Sequence, residues 1–233
     1  MKQQVTGHKE AGNALWFILL AVALLGALTA AISRSSDTAE QSGDIERYRI
    51  DASNLMRHSA SIEAAVNNML MRGVGENQIS FDNEFVSGAT YVNGNCSTSD
   101  CLVYDGAGGG VNYKTISSTI LDANSNGEAT FTEWEYSGAN AVEDVSTTEP
   151  DLIMFLSYLE RDLCRQINRL LKIPEVSGDV PEDSNGFEAD TPFVGSFASS
   201  ATIDAMDGHE VGCFNDTSGG GRNYTYYQVL IKR

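Results

Sequence analysis

From Ala14 to Ile32 the chain carries nineteen consecutive uncharged, mostly large apolar residues, directly after the charged Lys9-Glu10-Ala11-Gly12 segment. A helix rises about 1.5 Å per residue, so this run is roughly 28 Å long, close to the hydrocarbon thickness of a bilayer. It is therefore expected to anchor the chain in a membrane as one helix. A secretion signal has an apolar region of about 7 to 15 residues and a small-x-small cleavage site, which Thr29-Ala30-Ala31 supplies only loosely. The run here is longer, and no proline separates it from the next segment, where Ile45, Tyr48, Ala52, Leu55, Ile62, Val66, Met69 and Leu70 recur at helical spacing. The expectation is one helix from about Asn13 to Met71, with Ser42-Gly43 as the place for a bend, apolar all round in its first half and striped in its second. A retained anchor and a cleaved signal are the two alternatives.

Flanking charge sets the orientation. Lys2 and Lys9 precede the run, whereas Arg34 on the far side is mixed with Asp37, Glu40, Asp44 and Glu46, which favours an N-terminus inside. Everything after Arg34 then faces a compartment in which disulfides persist. Four cysteines, Cys96, Cys101, Cys164 and Cys213, allow three pairings. Cys96 and Cys101 lie close together in a Gly/Asn/Ser-rich stretch and are expected to close a small loop, leaving Cys164 for Cys213. Closing the longer loop stabilises a domain by roughly 3 to 5 kcal/mol on the chain-entropy model. A zinc site using His209 and Cys213 is the rival, but the spacings match no usual finger.

After Ile32 thirteen Lys/Arg stand against thirty-one Asp/Glu. That field opposes nucleic-acid binding and suits a soluble surface, divalent cations or basic partners. Roughly 200 residues are enough for one sizeable core with long loops. Short extended runs are expected at Gln78–Phe85, Ala89–Val92, Leu102–Tyr104 and Tyr113–Leu121, broken by Gly, Asn and Asp. A second helix is expected from Pro150 to Leu171, with Leu152, Phe155, Leu156, Leu159, Leu163, Ile167 and Leu170 as its stripe and Pro174 beyond its end. The stretch 175–222 reads as mostly loop with short extended pieces, and Tyr224–Ile231 as a buried strand.

A short charged leader ending in Gly12, an uncharged helix, an amphipathic continuation and a β-rich domain with a disulfide near its end together resemble a type IV pilin or a type II secretion pseudopilin. The resemblance implies an α+β fold in which a long N-terminal helix, membrane half plus amphipathic half, packs on an antiparallel sheet with a second helix. It implies a leader over 1–12, cut between Gly12 and Asn13 by a prepilin peptidase. A transmembrane or filament-core half-helix over 13–34, an amphipathic half over 35–72 and an extracytoplasmic head over 73–233 would follow. The implied partners are copies of the chain or other pilin-like subunits, an inner-membrane assembly platform, and membrane lipid before assembly. The implied place is a bacterial inner membrane, then a filament or the cell surface, with adhesion or display in place of catalysis. Two positions depart from the family pattern. The first mature residue is Asn13, not an aromatic, and the fifth is Phe17, not the glutamate that neutralises a neighbouring subunit's amine. Some minor, tip-located members of the family lack that glutamate, so a minor or atypical subunit is implied. A single-pass ligand-binding envelope protein and a secreted hydrolase are the rivals.

One motif suggests metal chemistry. Asp122, Asn124 and Asn126, with Gly127 and with Glu133 at the twelfth position, match the EF-hand calcium loop, in which Glu128 supplies a backbone carbonyl. Asn126-Gly127 is equally a hairpin turn between two strands, so calcium and a plain hairpin are alternatives. Gly106–Gly110 precedes a strand-like run and reads as a flexible loop. His8, His58 and His209 form no triad pattern, and no carboxylate pair is singled out by spacing.

Overall fold

A computed structural model describes residues 11–86, 90–128, 130–198 and 201–233, with the side chains of the first helix described for 16–29 and from 43 onward. The chain divides into two units, Met1–Arg47 and Tyr48–Arg233. Helix α1 runs over Ala11–Met71. It has no proline to break it, and it stops at Arg72-Gly73 for a local reason. Gly73 takes φ +93°, its N–H bonds to Leu70 O and the Val74 N–H bonds to Met69 O, a left-handed cap that closes the last turn.

The strands are β1 (Glu135–Val142), β2 (Asp151–Leu156), β3 (Glu182–Asp183), β4 (Ala201–Ile203), β5 (Val211–Asp216) and β6 (Asn223–Ile231), with helix α2 (Arg161–Leu171) between β2 and β3. They form one sheet in the order β3-β5-β6-β2-β1-β4. The pairs β1/β2, β2/β6 and β5/β6 are antiparallel, but β1/β4 and β3/β5 are parallel. The expected antiparallel sheet is therefore corrected to a mixed one. The physical reason is that its two edges, β3 and β4, are only two and three residues long and return through long connections, which permit parallel pairing. The Asn185 amide donates to Asp204 Oδ2 at 2.6 Å, just beyond those two edge strands, so the sheet curls until it nearly closes like a barrel.

Alternation along the strands serves two cores. Leu152, Met154 and Leu156 of β2 and Tyr226 and Leu230 of β6 join the core under α1 and α2, while Ile153, Phe155, Tyr227 and Val229 point into the curl with Phe214, Ile203 and Met206. This explains the second correction. The apolar run Leu152–Leu156 is buried on both faces and forms a strand, and α2 starts only at Arg161, after Tyr158 has turned the chain at φ +64°. A continuous apolar run does not distinguish a buried strand from a helix by period alone. Helix α2 is held to β5 by the Cys164–Cys213 disulfide and by Asn168, whose amide donates to Cys213 O at 2.7 Å and accepts from Cys213 N at 2.9 Å.

The extended runs expected at Gln78–Phe85, Leu102–Tyr104 and Tyr113–Leu121 are not strands. Turns, short 3-10 segments and isolated bridges such as Ser80 to Leu102 take their place, and 87–89 lie outside the described residues. Nor is Gly106–Gly110 merely a loose loop: a Cβ on Gly108 would sit 2.0 Å from Leu102 O and one on Gly109 2.4 Å from Val103 O. The glycines let this backbone lie directly on 102–103.

The expected membrane half of α1 is also corrected. Among the described residues no helix is long and apolar enough to cross a membrane. Side chains of the apolar run are described for Trp16–Thr29. The side chains of 13–15 and 30–34 and the leader residues 1–10 lie outside the described residues.

One buried charge pair ties three segments together. Arg222 (7 % exposed) donates to Glu135 Oε2 (residue 2 % exposed) at 2.5 Å and to Ser157 Oγ at 3.2 Å, and also pairs with Asp190. Burial pushes the Glu135 carboxyl up, and the guanidinium works against that push. Replacing Arg222 with Met strands a buried carboxylate and is expected to lower stability by about 3 to 5 kcal/mol near neutral pH. The loss should shrink in acid, where Glu135 takes a proton. Urea unfolding of both proteins at two pH values measures this, and equal midpoints at neutral pH would contradict it.

Candidate functional site

The two parts of α1 meet different requirements. In the folded unit Ala52, Leu55, Ile62, Val66 and Met69 are buried at helical spacing against the sheet. Ser59, on the same stripe, is polar yet fully buried, because its hydroxyl bonds the Tyr226 hydroxyl at 2.5 Å and Gln228 Oε1 at 3.4 Å. Gln228 in turn donates to Glu63 Oε2 at 3.0 Å. This chain of bonds fixes the rotation of the helix on β6. Burial pushes the Glu63 carboxyl up, with Glu210 adding to it and Lys232 opposing.

In the unit Met1–Arg47 every described side chain from Trp16 to Thr29 is exposed. The large apolar residues Trp16, Phe17, Ile18, Leu19, Leu20, Val22, Leu24, Leu25 and Leu28 stand 48–64 % exposed. They occupy all sides of the helix, not one stripe. Thr29 turns its hydroxyl back onto Leu25 O at 2.9 Å and Gly26 O at 3.0 Å, so even this polar residue satisfies itself within the helix. A Cβ on Gly26 would meet nothing within 4 Å among the described residues. Gly12 and Asn13, the expected cleavage pair, lie within the α1 backbone.

Both expected disulfides are formed, with Cα atoms 5.6 Å apart for Cys96–Cys101 and 5.4 Å for Cys164–Cys213. Cys213 is thus withdrawn from any zinc site with His209. The expected calcium loop is built differently from the hairpin alternative: 3-10 turns run through Ala123–Ser125, Gly127 takes φ +115°, and among the described residues no strand precedes it. Asp122 Oδ1 accepts from the Asn124 N–H at 3.0 Å and the Asn124 amide at 2.9 Å. The Glu128 carbonyl accepts from Phe131 N at 3.2 Å, Asn126 is exposed, and burial pushes the Glu133 carboxyl up. Among the described residues no group of three or more His, Cys, Asp or Glu is placed to hold a metal. Calcium titration decides the matter: a rise in thermal midpoint abolished by Asp122→Ala and Glu133→Ala assigns the loop to calcium, and an unchanged midpoint leaves it a structural turn.

One small cavity, of about 150 Å³, was not legible in the sequence. Asp51, Asn54, His58, Lys114, Thr119 and Trp134 are among its lining. His58 lies 5.4 Å from the Trp134 ring, and its Nε2 is buried with no hydrogen-bond partner. Its place on the long helix offered no triad pattern. Its partners come from segments 56 and 76 residues further along, which no local spacing reveals.

No family model, curated protein or solved structure matches the chain.

Burial, reinforced by Lys114, lowers the His58 pKa to about 4. The unfolded chain, with a pKa near the ordinary 6.5, binds a proton that the folded chain refuses between those values. His58 therefore contributes stability above pH about 6.5 that is lost as pH falls towards about 4. His58→Phe should flatten that part of the stability–pH curve relative to the parent, and NMR titration should place the imidazole near 4. Parallel curves would contradict the burial argument.

Proposed function

We propose that the chain is a pilin-like subunit, a minor one, of a filament of the type IV pilus or type II secretion pseudopilus kind. It assembles through the first part of α1, and its work is assembly and display, not catalysis. One observation carries this proposal: over Trp16–Thr29 a regular helix presents large apolar side chains on every side. Covering a Leu, Ile or Phe side chain is worth roughly 1.5 to 3 kcal/mol, so nine such residues leave a driving force on the order of 10 to 30 kcal/mol. A single docking face cannot collect it. A cover on all sides can, either lipid or a ring of equivalent helices from other subunits. Small residues, Ala21, Ala23, Gly26 and Ala27, let helix backbones approach closely in such a ring.

The sequence adds the rest. The leader 1–12 ends in Gly12, where a prepilin peptidase would cut, and the same apolar stretch would rest against membrane lipid before an inner-membrane platform draws it into the filament. The two formed disulfides suit a head folded outside the reducing cytosol. Phe17 at the fifth mature position leaves no carboxylate for a neighbour's amine, which suits a subunit at an end of the filament.

Two measurements test this together. The mature protein is expected to begin at Asn13 and to sediment with sheared surface fibres, and Leu20→Lys, which puts a charge in the apolar stretch, should abolish that sedimentation while leaving the head folded. A mature chain that begins beyond Ile32, or one that stays monomeric beside the fibres, would overturn the proposal.

A further inference from the structure

A groove of about 420 Å³ opens on the folded unit between the loop at 82–85 and the segments at 102–105 and 112–113. One side is aromatic. Phe85 is 57 % exposed, its ring lies almost parallel to Tyr113 at 5.4 Å between centroids, and Tyr113 meets Tyr104 edge-on at 5.3 Å. These rings are held in place. Asn83 Oδ1 accepts from the Phe85 and Val86 N–H groups at 2.9 and 3.1 Å, and the Tyr104 hydroxyl is bonded to that of the fully buried Tyr136.

The other contribution is charge. Asp82, Glu84 and Asp105 line the same groove, and its described lining contains no Lys or Arg. Exposed aromatic faces beside carboxylates are complementary to a flat organic cation, attracted by the ring quadrupole and by the ionised oxygens at once. Guanidinium fits this better than ammonium, because it is planar, weakly hydrated and able to stack while it donates in its own plane. Net charge alone would not select it, since a chain of formal charge −17 attracts cations everywhere.

We propose that this groove receives an arginine side chain presented by a partner protein, with the guanidinium stacked on Phe85 and paired with the carboxylates of Asp82 and Glu84. The groove lies wholly within Tyr48–Arg233 and does not depend on how the first part of α1 is covered.

The test uses the full-length chain in detergent and the peptide acetyl-Gly-Arg-Gly-amide, with the lysine peptide and tetramethylammonium as comparison ligands, followed by NMR of the aromatic rings. The arginine peptide should bind saturably and shift the Phe85 and Tyr113 ring signals, and the lysine peptide should bind more weakly. Phe85→Ala keeps every charge and should weaken the arginine peptide about tenfold, as should Phe85→Leu, which keeps apolar bulk without a π face. The pair Asp82→Asn with Glu84→Gln should weaken it as well. Equal binding by the parent and both Phe85 variants would reduce the effect to overall charge and overturn the proposal. Absence of saturable binding, or equal affinity for tetramethylammonium, would overturn it too. Because Phe85 is exposed, an unchanged thermal midpoint is expected for its variants and separates lost binding from lost folding.

Discussion

The burial of one stripe of α1 against β6 and its neighbours is the contact on which the folded unit depends. Ala52, Leu55, Ile62, Val66 and Met69 supply the apolar area, and the Ser59, Tyr226, Gln228 and Glu63 bonds set the rotation at which that area meets the sheet. A rotation of one residue, about 100°, would bring Glu63 towards the core in place of Ile62 and strand the Tyr226 hydroxyl. Helix and sheet are therefore specified together. Beyond Arg47 towards the N-terminus the described side chains carry no such polar clamp, and their apolar character is unbroken round the helix. One helix thus holds a part striped to suit its own sheet and a part whose described side chains are apolar on every side.

Around that contact the remaining stability is organised by long-range ties. The disulfide from Cys164 to Cys213 and the paired Asn168 bonds lock α2 to β5, while Arg222 gathers Glu135, Ser157 and Asp190 from distant parts of the chain. The sheet curls until Asn185 reaches Asp204, and its two shortest strands, β3 and β4, form its edges. Curling also makes room for the second core, where Phe155, Phe187, Phe214 and Tyr227 pack ring against ring.

Much of the helix and part of the sheet could be read directly from residues. The unbroken run of helical spacing to Met71, the buried strand near the C-terminus and both cysteine pairings follow from period, composition and proximity. The Leu152–Leu156 segment misled because a doubly buried strand has no polar face, so its stripe also suits a helix. β3 and β4 were silent because two or three residues display no period, and their parallel pairing depends on connections of tens of residues. The 78–121 region carries strand-forming residues such as Tyr91, Val103 and Tyr113, yet they serve as plugs and groove walls held by turns. The His58 cavity and the Phe85 groove were hidden for the same reason: each joins segments far apart in sequence, and neither has a motif.

The central claim is that the apolar first part of α1 is covered by equivalent helices of other subunits in the assembled state. Cysteine cross-linking through that helix addresses it most directly, with Leu24→Cys oxidised in intact cells and the products resolved by size. A covalent species joining two subunits, absent when the same cysteine stands at exposed Glu149 on the head, is the result the account predicts. A Leu24→Cys chain that remains a monomer under oxidation, although fully present in the fibre fraction, would contradict it.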